Sequence, residues 1–388
     1  MAVTLVALSP GVVAGQTAPA QAAASAEPAL TTPWGDPDLQ GIWNDHWHTP
    51  FERPAQYEGK AVLTDEERAE LDRQRAAELR MGDRNLPQGS EADVSGAYNA
   101  VFIPLEHTGP RTSLIVDPED GKLPALTPEA QAWEDEVRAY QSALVQTTDV
   151  CKQAPGCDYG PPSPLRSQAP PHYLALRTIN RADGPEDRSL GERCIRAVLP
   201  DFGGVIGVFQ EIIQTPGAVA VFYDTGQGQG WQRIIPVTDT PPPPPSVTQW
   251  AGVSRGRWEG DTLVVEVTNF SPKMDFQRAR GGGKENMRLI ERFRRVDDDT
   301  MEYFVTVDDP TIWTRPWTVQ QELTKQSTRA NRIYREPRCH EGNYGLVGLL
   351  WGARVEEQEF SEGGGPHPAT RCIGGRCSGY GGGQGGRR

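Results

Sequence analysis

The chain has 388 residues, with 39 Lys and Arg against 52 Asp and Glu, and a formal net charge of −13. That charge repels nucleic-acid phosphate and anionic lipid, which argues against a nucleic-acid function for the folded part. Hydrophobic residues make up 37%, enough for a core, while 42 glycines and 34 prolines break helices and exclude an all-helical fold.

Residues 1–26 read as a signal peptide. Residues 2–14 form a short apolar run, and small residues follow, with cleavage patterns at Val13-Ala14-Gly15 and Ala24-Ser25-Ala26. The run is too short to span a membrane. No Lys or Arg precedes it, the first basic residue being Arg53, so the start Met is expected to lie inside a longer signal. The plainer alternative is an Ala-rich leader on a cytosolic protein. No other stretch is apolar enough for a transmembrane segment.

Residues 27–203 read as an extended and helical N-terminal layer. The segment 27–62 is extended and carries Gly41-Ile42-Trp43. A helix is predicted over 64–80, with Thr64 and Glu67 as a capping box and Asp65 and Glu66 at the positive end of its dipole. Residues 112–116 read as a strand, followed by a turn at Asp117 to Gly121. A second helix begins at Thr127-Pro128, cap and then N1 proline, and runs to about Leu144. Residues 145–190 are irregular and proline-rich.

Residues 204–360 read as an antiparallel β domain. Short β-type runs at 204–215, 218–224 and 232–237 are separated by Gly and Pro turns, and Pro241 to Pro245 form a stiff spacer. In 257–270, Leu263, Val265 and Val267 share one face; in 300–309, Met301, Tyr303, Val305 and Val307 do the same. The expected fold is mainly β: an antiparallel meander barrel or sandwich, calycin-like, with an N-terminal mixed helix and loop layer. The tail 361–388 holds 11 glycines and reads as disordered.

Six cysteines, an even number, fit an oxidising compartment, so the protein is expected to be periplasmic or secreted. Cys151/Cys157 and Cys372/Cys377 are close enough to close small loops, which leaves Cys194 with Cys339 as the simplest of 15 connectivities. Closing that long loop would stabilise by roughly 4–5 kcal/mol. No spacing is CxxC, which weakens a metal reading.

Several phrases occur together: Pro37 to Trp43, Arg111 to Gly121, Asp187 to Cys194, Ile213 to Pro216, Gly256 to Phe270, Thr311 to Thr318, and Cys339 to Tyr344. Over about residues 33–355 the chain resembles a large family of uncharacterised exported proteins of acidobacterial and proteobacterial genomes. The resemblance implies export and no particular activity. The Trp258 to Leu263 strand start also resembles small calycin-type barrels, the lipocalin-like folds that hold ligands. The chain departs from the family in its Cys151/Cys157 insertion, its polyproline run and its Gly/Arg-rich tail.

His340 and Glu341, beside Cys339, are the sharpest candidates for an acid/base pair. They would converge only in a turn, and the plainer reading has them satisfying backbone groups next to a disulfide. His46 and His48 flank Trp47, an HxH spacing that puts both imidazoles on one strand face for a divalent metal, with His340, Glu341 or His107 as a third ligand. The plainer reading is a polar pair around a buried Trp. Arg111, Arg193, Arg292 and Arg315 lie near Asp117, Glu192 and Glu291; they suit two-point anion contacts, or internal pairs that cross-link loops onto a barrel. Trp43, Trp250, Trp258, Trp313 and Trp317 could line a pocket, with Arg111, Arg193 and Asn343 as polar contacts, or simply fill a core.

No GxSxG elbow, Walker loop, HExxH or CxxCH is present, and no GxGxxG follows a strand. Gly281-Gly282-Gly283-Lys284 reads as a hairpin tip. Three readings follow. The first is an exported small-molecule-binding protein with a pocket for an apolar, aromatic or sugar ligand, needing no cofactor. The second is a periplasmic lyase or hydrolase using His340 and Glu341, or a metal enzyme using His46 and His48. The third is a cell-envelope structural protein.

Overall fold

In the computed structural model of the chain, the described residues are 30–45, 47–78, 107–172, 180–195, 199, 209–224, 231–274, 285–326, 340 and 342–371. The first half contributes β1 (Gly41–Asp45), β2 (Trp47–His48), α1 (Asp65–Glu78), β3 (His107–Thr108), β4 (Ile115–Asp117), α2 (Pro128–Val145) and α3 (Asp149–Gln153). The second half contributes β5 (Phe209–Thr215), β6 (Ala218–Asp224), β7 (Trp231–Pro236), β8 (Val253–Glu259), β9 (Thr262–Thr268), β10 (Arg288–Arg295), β11 (Thr300–Asp308), β12 (Trp317–Lys325) and α4 (Tyr344–Ser361).

The fold is mainly β, as the strand patterning led one to expect. Nine strands pair antiparallel in the order β7-β6-β5-β1-β12-β11-β10-β9-β8, and β4 joins β12 off that path. An odd number of alternating strands leaves β7 and β8 running the same way. They meet at a parallel bridge between Val237 and Gly256, where the Thr238 N–H donates to the Gly256 carbonyl at 3.0 Å. The sheet is thus a nearly closed barrel with a short parallel seam. Gly256 suits that seam because a Cβ there would stand 3.0 Å from Ile235 Cγ2 and 3.2 Å from Leu263 Cδ1.

Period-two alternation sends one face of each strand inward. In β11 it is Met301, Tyr303, Val305 and Val307 that are buried, and in β12 Trp317, Val319, Gln321 and Leu323. The apolar members of these faces form one cluster with Trp43, Ile212, Val221, Val265, Leu289 and Phe293. β1 lies between β5 and β12, so the first strand in sequence completes a nine-strand path whose other members begin at residue 209.

The expected helices form. Thr64 and Glu67 make the reciprocal capping box: the Thr64 N–H donates to Glu67 Oε2 at 2.8 Å, and the Glu67 N–H to Thr64 Oγ1 at 3.3 Å. Thr127 caps α2, accepting from the Ala130 N–H at 3.2 Å. Thr127 also binds the helix to the barrel: its N–H donates to the Ile312 carbonyl at 2.9 Å and its hydroxyl to the Thr311 carbonyl at 2.9 Å.

Cys151 and Cys157 form a disulfide closing a loop beside α3. Cys194 is also disulfide-bonded. Since Cys151 and Cys157 hold each other, its partner is Cys339, Cys372 or Cys377, all outside the described residues, as is the expected Cys372/Cys377 pair. The leader 1–26, His46, Glu341, the Gly281–Lys284 tip and the tail beyond 371 lie outside them too. Among the described residues no helix is long and apolar enough to cross a membrane.

Candidate ligand site in the barrel interior

The inner face of the barrel carries a charged pair that its strand patterns conceal. In β10, Leu289, Glu291 and Phe293 point inward; in β7, Arg233 and Ile235 do. Arg233 NH1 and NH2 donate to Glu291 Oε2 and Oε1 at 2.7 and 2.9 Å. The side chains are 5% and 0% exposed, so the two charges meet out of water. The Tyr303 hydroxyl donates to Glu291 Oε1 at 2.6 Å, and Arg233 NH1 also donates to Ser254 Oγ at 3.3 Å. Ser254 lies on β8, so this last bond crosses the seam of the barrel.

Burial disfavours the charged guanidinium, but the facing Glu291 carboxylate, and then Tyr223, outweigh that and raise the Arg233 pKa above its ordinary value. Burial pushes the Tyr303 hydroxyl well above the usual phenol range, and Glu291 and Tyr223 push it further. Tyr303 therefore stays a donor. Glu291 accepts three hydrogen bonds, two from Arg233 and one from Tyr303.

Aromatic rings flank the pair. Tyr223 stacks on Trp231 with centroids 4.2 Å apart and planes at 8°, and the Arg233 guanidinium lies 5.7 Å from the Tyr223 ring. Gln210 pairs in register with Tyr223, and Gln321 with Tyr303. Both glutamines are buried. Gln210 Oε1, Gln321 Oε1, Arg233 Nε and the indole N–H groups of Trp231 and Trp258 have no hydrogen-bond partner among the described residues. Such orphaned buried groups call for an explanation.

The sequence-derived candidates disperse. Trp43 is fully buried in the barrel core, with its indole N–H donating to the Leu39 carbonyl at 2.9 Å. Trp258 packs partly buried against the same core. Arg111 lies on the outer side of β12, donating to Gln320 Oε1 at 2.6 Å. Arg193 pairs with Glu186 at 3.0 Å. Asn343 caps α4, accepting from the Leu346 N–H at 3.0 Å while its amide donates to Cys194 Sγ at 3.1 Å. Asn343 thus meets Cys194, the sequence neighbour of Arg193. Arg292 and Arg315 pair with Glu259 and Asp117 on the surface. His340 is exposed just before α4, its carbonyl accepting from the Asn343 N–H at 3.1 Å.

His48 and His107 sit on one parallel ribbon, Trp47 opposite His107 and His48 opposite Thr108. Asp72 of α1 meets the ribbon: it accepts from the Thr108 N–H at 2.7 Å and lies 2.9 Å from His107 Nδ1. Burial would raise the Asp72 carboxyl, but the Thr108 and His107 hydrogen bonds outweigh it and hold it below the usual range. Among the described residues, no group of three His, Cys, Asp or Glu side chains is arranged to hold a metal ion.

Arg233 escaped the sequence reading, which gave Glu291 an acid's place near Arg292. The signal was the period of two: Trp231, Arg233 and Ile235 share a face, as do Leu289, Glu291 and Phe293, and each apolar face carries one opposite charge.

No family model matches the chain, and no curated protein does. Among solved structures, 33% of this chain is similar to 77% of a secretary abundant heat soluble (SAHS) protein from Ramazzottius varieornatus, at 10% identity and a TM-score of 0.18. At that score the likeness carries no argument, and the barrel assignment rests on the strand pairing itself.

Proposed function

We propose that this chain is an exported small-molecule-binding protein that holds an apolar or aromatic ligand inside its barrel. The observation that carries the reading is the Arg233–Glu291–Tyr303 cluster, a desolvated polar group among apolar and aromatic walls. Binding sites have this character: mostly apolar lining with a few converging polar groups that fix orientation. The orphaned Arg233 Nε, Gln210 Oε1 and Gln321 Oε1 supply further polar contacts for a guest. Export is supported by the apolar leader and by the Cys151–Cys157 disulfide.

A thermal-shift screen of the purified protein against aromatic, sugar and lipid-like compounds tests the reading, because a ligand bound only by the folded state raises the melting temperature by mass action. A saturable, concentration-dependent rise is expected for at least one class. A flat response to all three counts against a binding protein.

A further inference from the structure

The barrel carries its own carboxylate where an acidic guest would sit. A guanidinium binds a carboxylate through two parallel N–H···O bonds, and in this interior both terminal nitrogens of Arg233 are already used that way by Glu291. The phenol that would complete an acid-binding corner, Tyr303, also donates to Glu291. A second carboxylate would meet the Glu291 charge at close range in a desolvated space, where like charges repel strongly. An uncharged guest meets no such barrier. The pair is neutral as a unit, and two orphaned atoms on strands two removed from it, Gln210 Oε1 on β5 and Gln321 Oε1 on β12, are acceptors that an alcohol or amide donor can satisfy.

We propose that Glu291 is the specificity-determining residue of the barrel: it occupies the carboxylate position on Arg233, so the interior takes uncharged amphiphiles such as long-chain alcohols and amides and rejects the matching acids. This rests on the ligand-binding reading above and adds to it the chemical class of the guest. Tyr303 and Ser254 would donate to a neutral or an acidic guest alike, so at Arg233 the discriminating charge is that of Glu291.

The test uses 1-decanol, decanamide and decanoate, matched in chain length, titrated into the full chain at pH 7.5 with binding read by thermal shift. The wild-type protein is expected to bind the alcohol or the amide more than tenfold more tightly than decanoate. Glu291→Gln keeps the side-chain shape but vacates the charge, and is expected to bring decanoate to parity or better. If that variant is poorly folded alone, decanoate is expected to raise its melting temperature at least as much as decanol does. Equal wild-type affinity for decanoate and decanol would overturn the selectivity while leaving ligand binding standing. So would a Glu291→Gln variant with an unchanged preference. If the wild-type protein binds none of the three, the ligand reading is contradicted and the selectivity goes with it.

Discussion

Arg233 and Glu291 are 58 residues apart in sequence and join β7 to β10 by two hydrogen bonds across the barrel interior, at 2.7 and 2.9 Å. Across the seam, the strands between them are β8 and β9, and β8 supplies Ser254 to the same guanidinium. One side chain therefore spans the weakest place in the wall, the seam where β7 and β8 meet through a single described parallel bridge.

That placement makes each partner costly to remove alone. Arg233→Met or Glu291→Leu leaves one buried charge unpaired, and each is expected to lose about 3–5 kcal/mol of stability. The double variant Arg233→Met/Glu291→Leu removes both charges together and is expected to recover most of that loss. Urea denaturation of the four proteins reads the cycle. Single variants within about 1 kcal/mol of wild type would show that the pair is not desolvated as described.

Gly252, just before β8, has φ +66°, and a Cβ there would stand 2.7 Å from Val267 Cγ1 and 2.8 Å from the Thr268 carbonyl oxygen. The backbone oxygen cannot swing aside as a side chain can. Gly252→Ala combines left-handed strain with this clash, and is expected to cost about 1–3 kcal/mol, read as a lower denaturation midpoint. Gly260→Ala, in the open turn between β8 and β9, shares the positive φ but meets nothing within 4 Å, and should cost less.

The ribbon beneath α1 gives a pH signature. Partial loss of solvent at His48, and then the Arg75 charge, lower its pKa from 6.5, opposed by Asp72. A histidine whose folded pKa is depressed binds more protons when unfolded. Stability from this group is therefore full above about pH 6.5 and declines as pH falls toward the folded pKa, below which it levels off. Hydrogen exchange of the α1 amides should quicken as pH is lowered from about 7 to about 5, after correction for the intrinsic rate, and His48→Asn should remove the part due to His48. An unchanged pH profile in that variant would contradict the assignment.

The strands after residue 209 were legible because apolar residues alternate there against charge, as in Met301, Tyr303, Val305 and Val307. The caps at Thr64 and Thr127 were legible because they depend on neighbours three residues away. β12 was not read as a strand: its inner face is Trp317, Val319, Gln321, Leu323, and the buried Gln321 interrupts the apolar signal. β1 reads as extended, but its seat between β5 and β12 depends on pairings with residues 209–212 and 323–325, which no local pattern encodes. The candidate site failed to appear for the same reason. Glu291 looked like an acid beside Arg292, yet in a strand neighbouring residues face opposite ways, so Arg292 went to the surface with Glu259 and Glu291 met Arg233 inside. The exposed Ile234, 66% accessible beside buried Arg233, shows the same inversion of the usual pattern.

The central claim is that a small molecule binds inside the barrel against the Arg233–Glu291 pair. Its most direct test is calorimetric titration of one ligand, the strongest stabiliser from the thermal-shift screen, into wild-type protein and into the folded Arg233→Met/Glu291→Leu double variant. Saturable binding to the wild type, weakened at least tenfold in the double variant, is the predicted result. Equal affinity in the two proteins would place the ligand elsewhere and contradict the account.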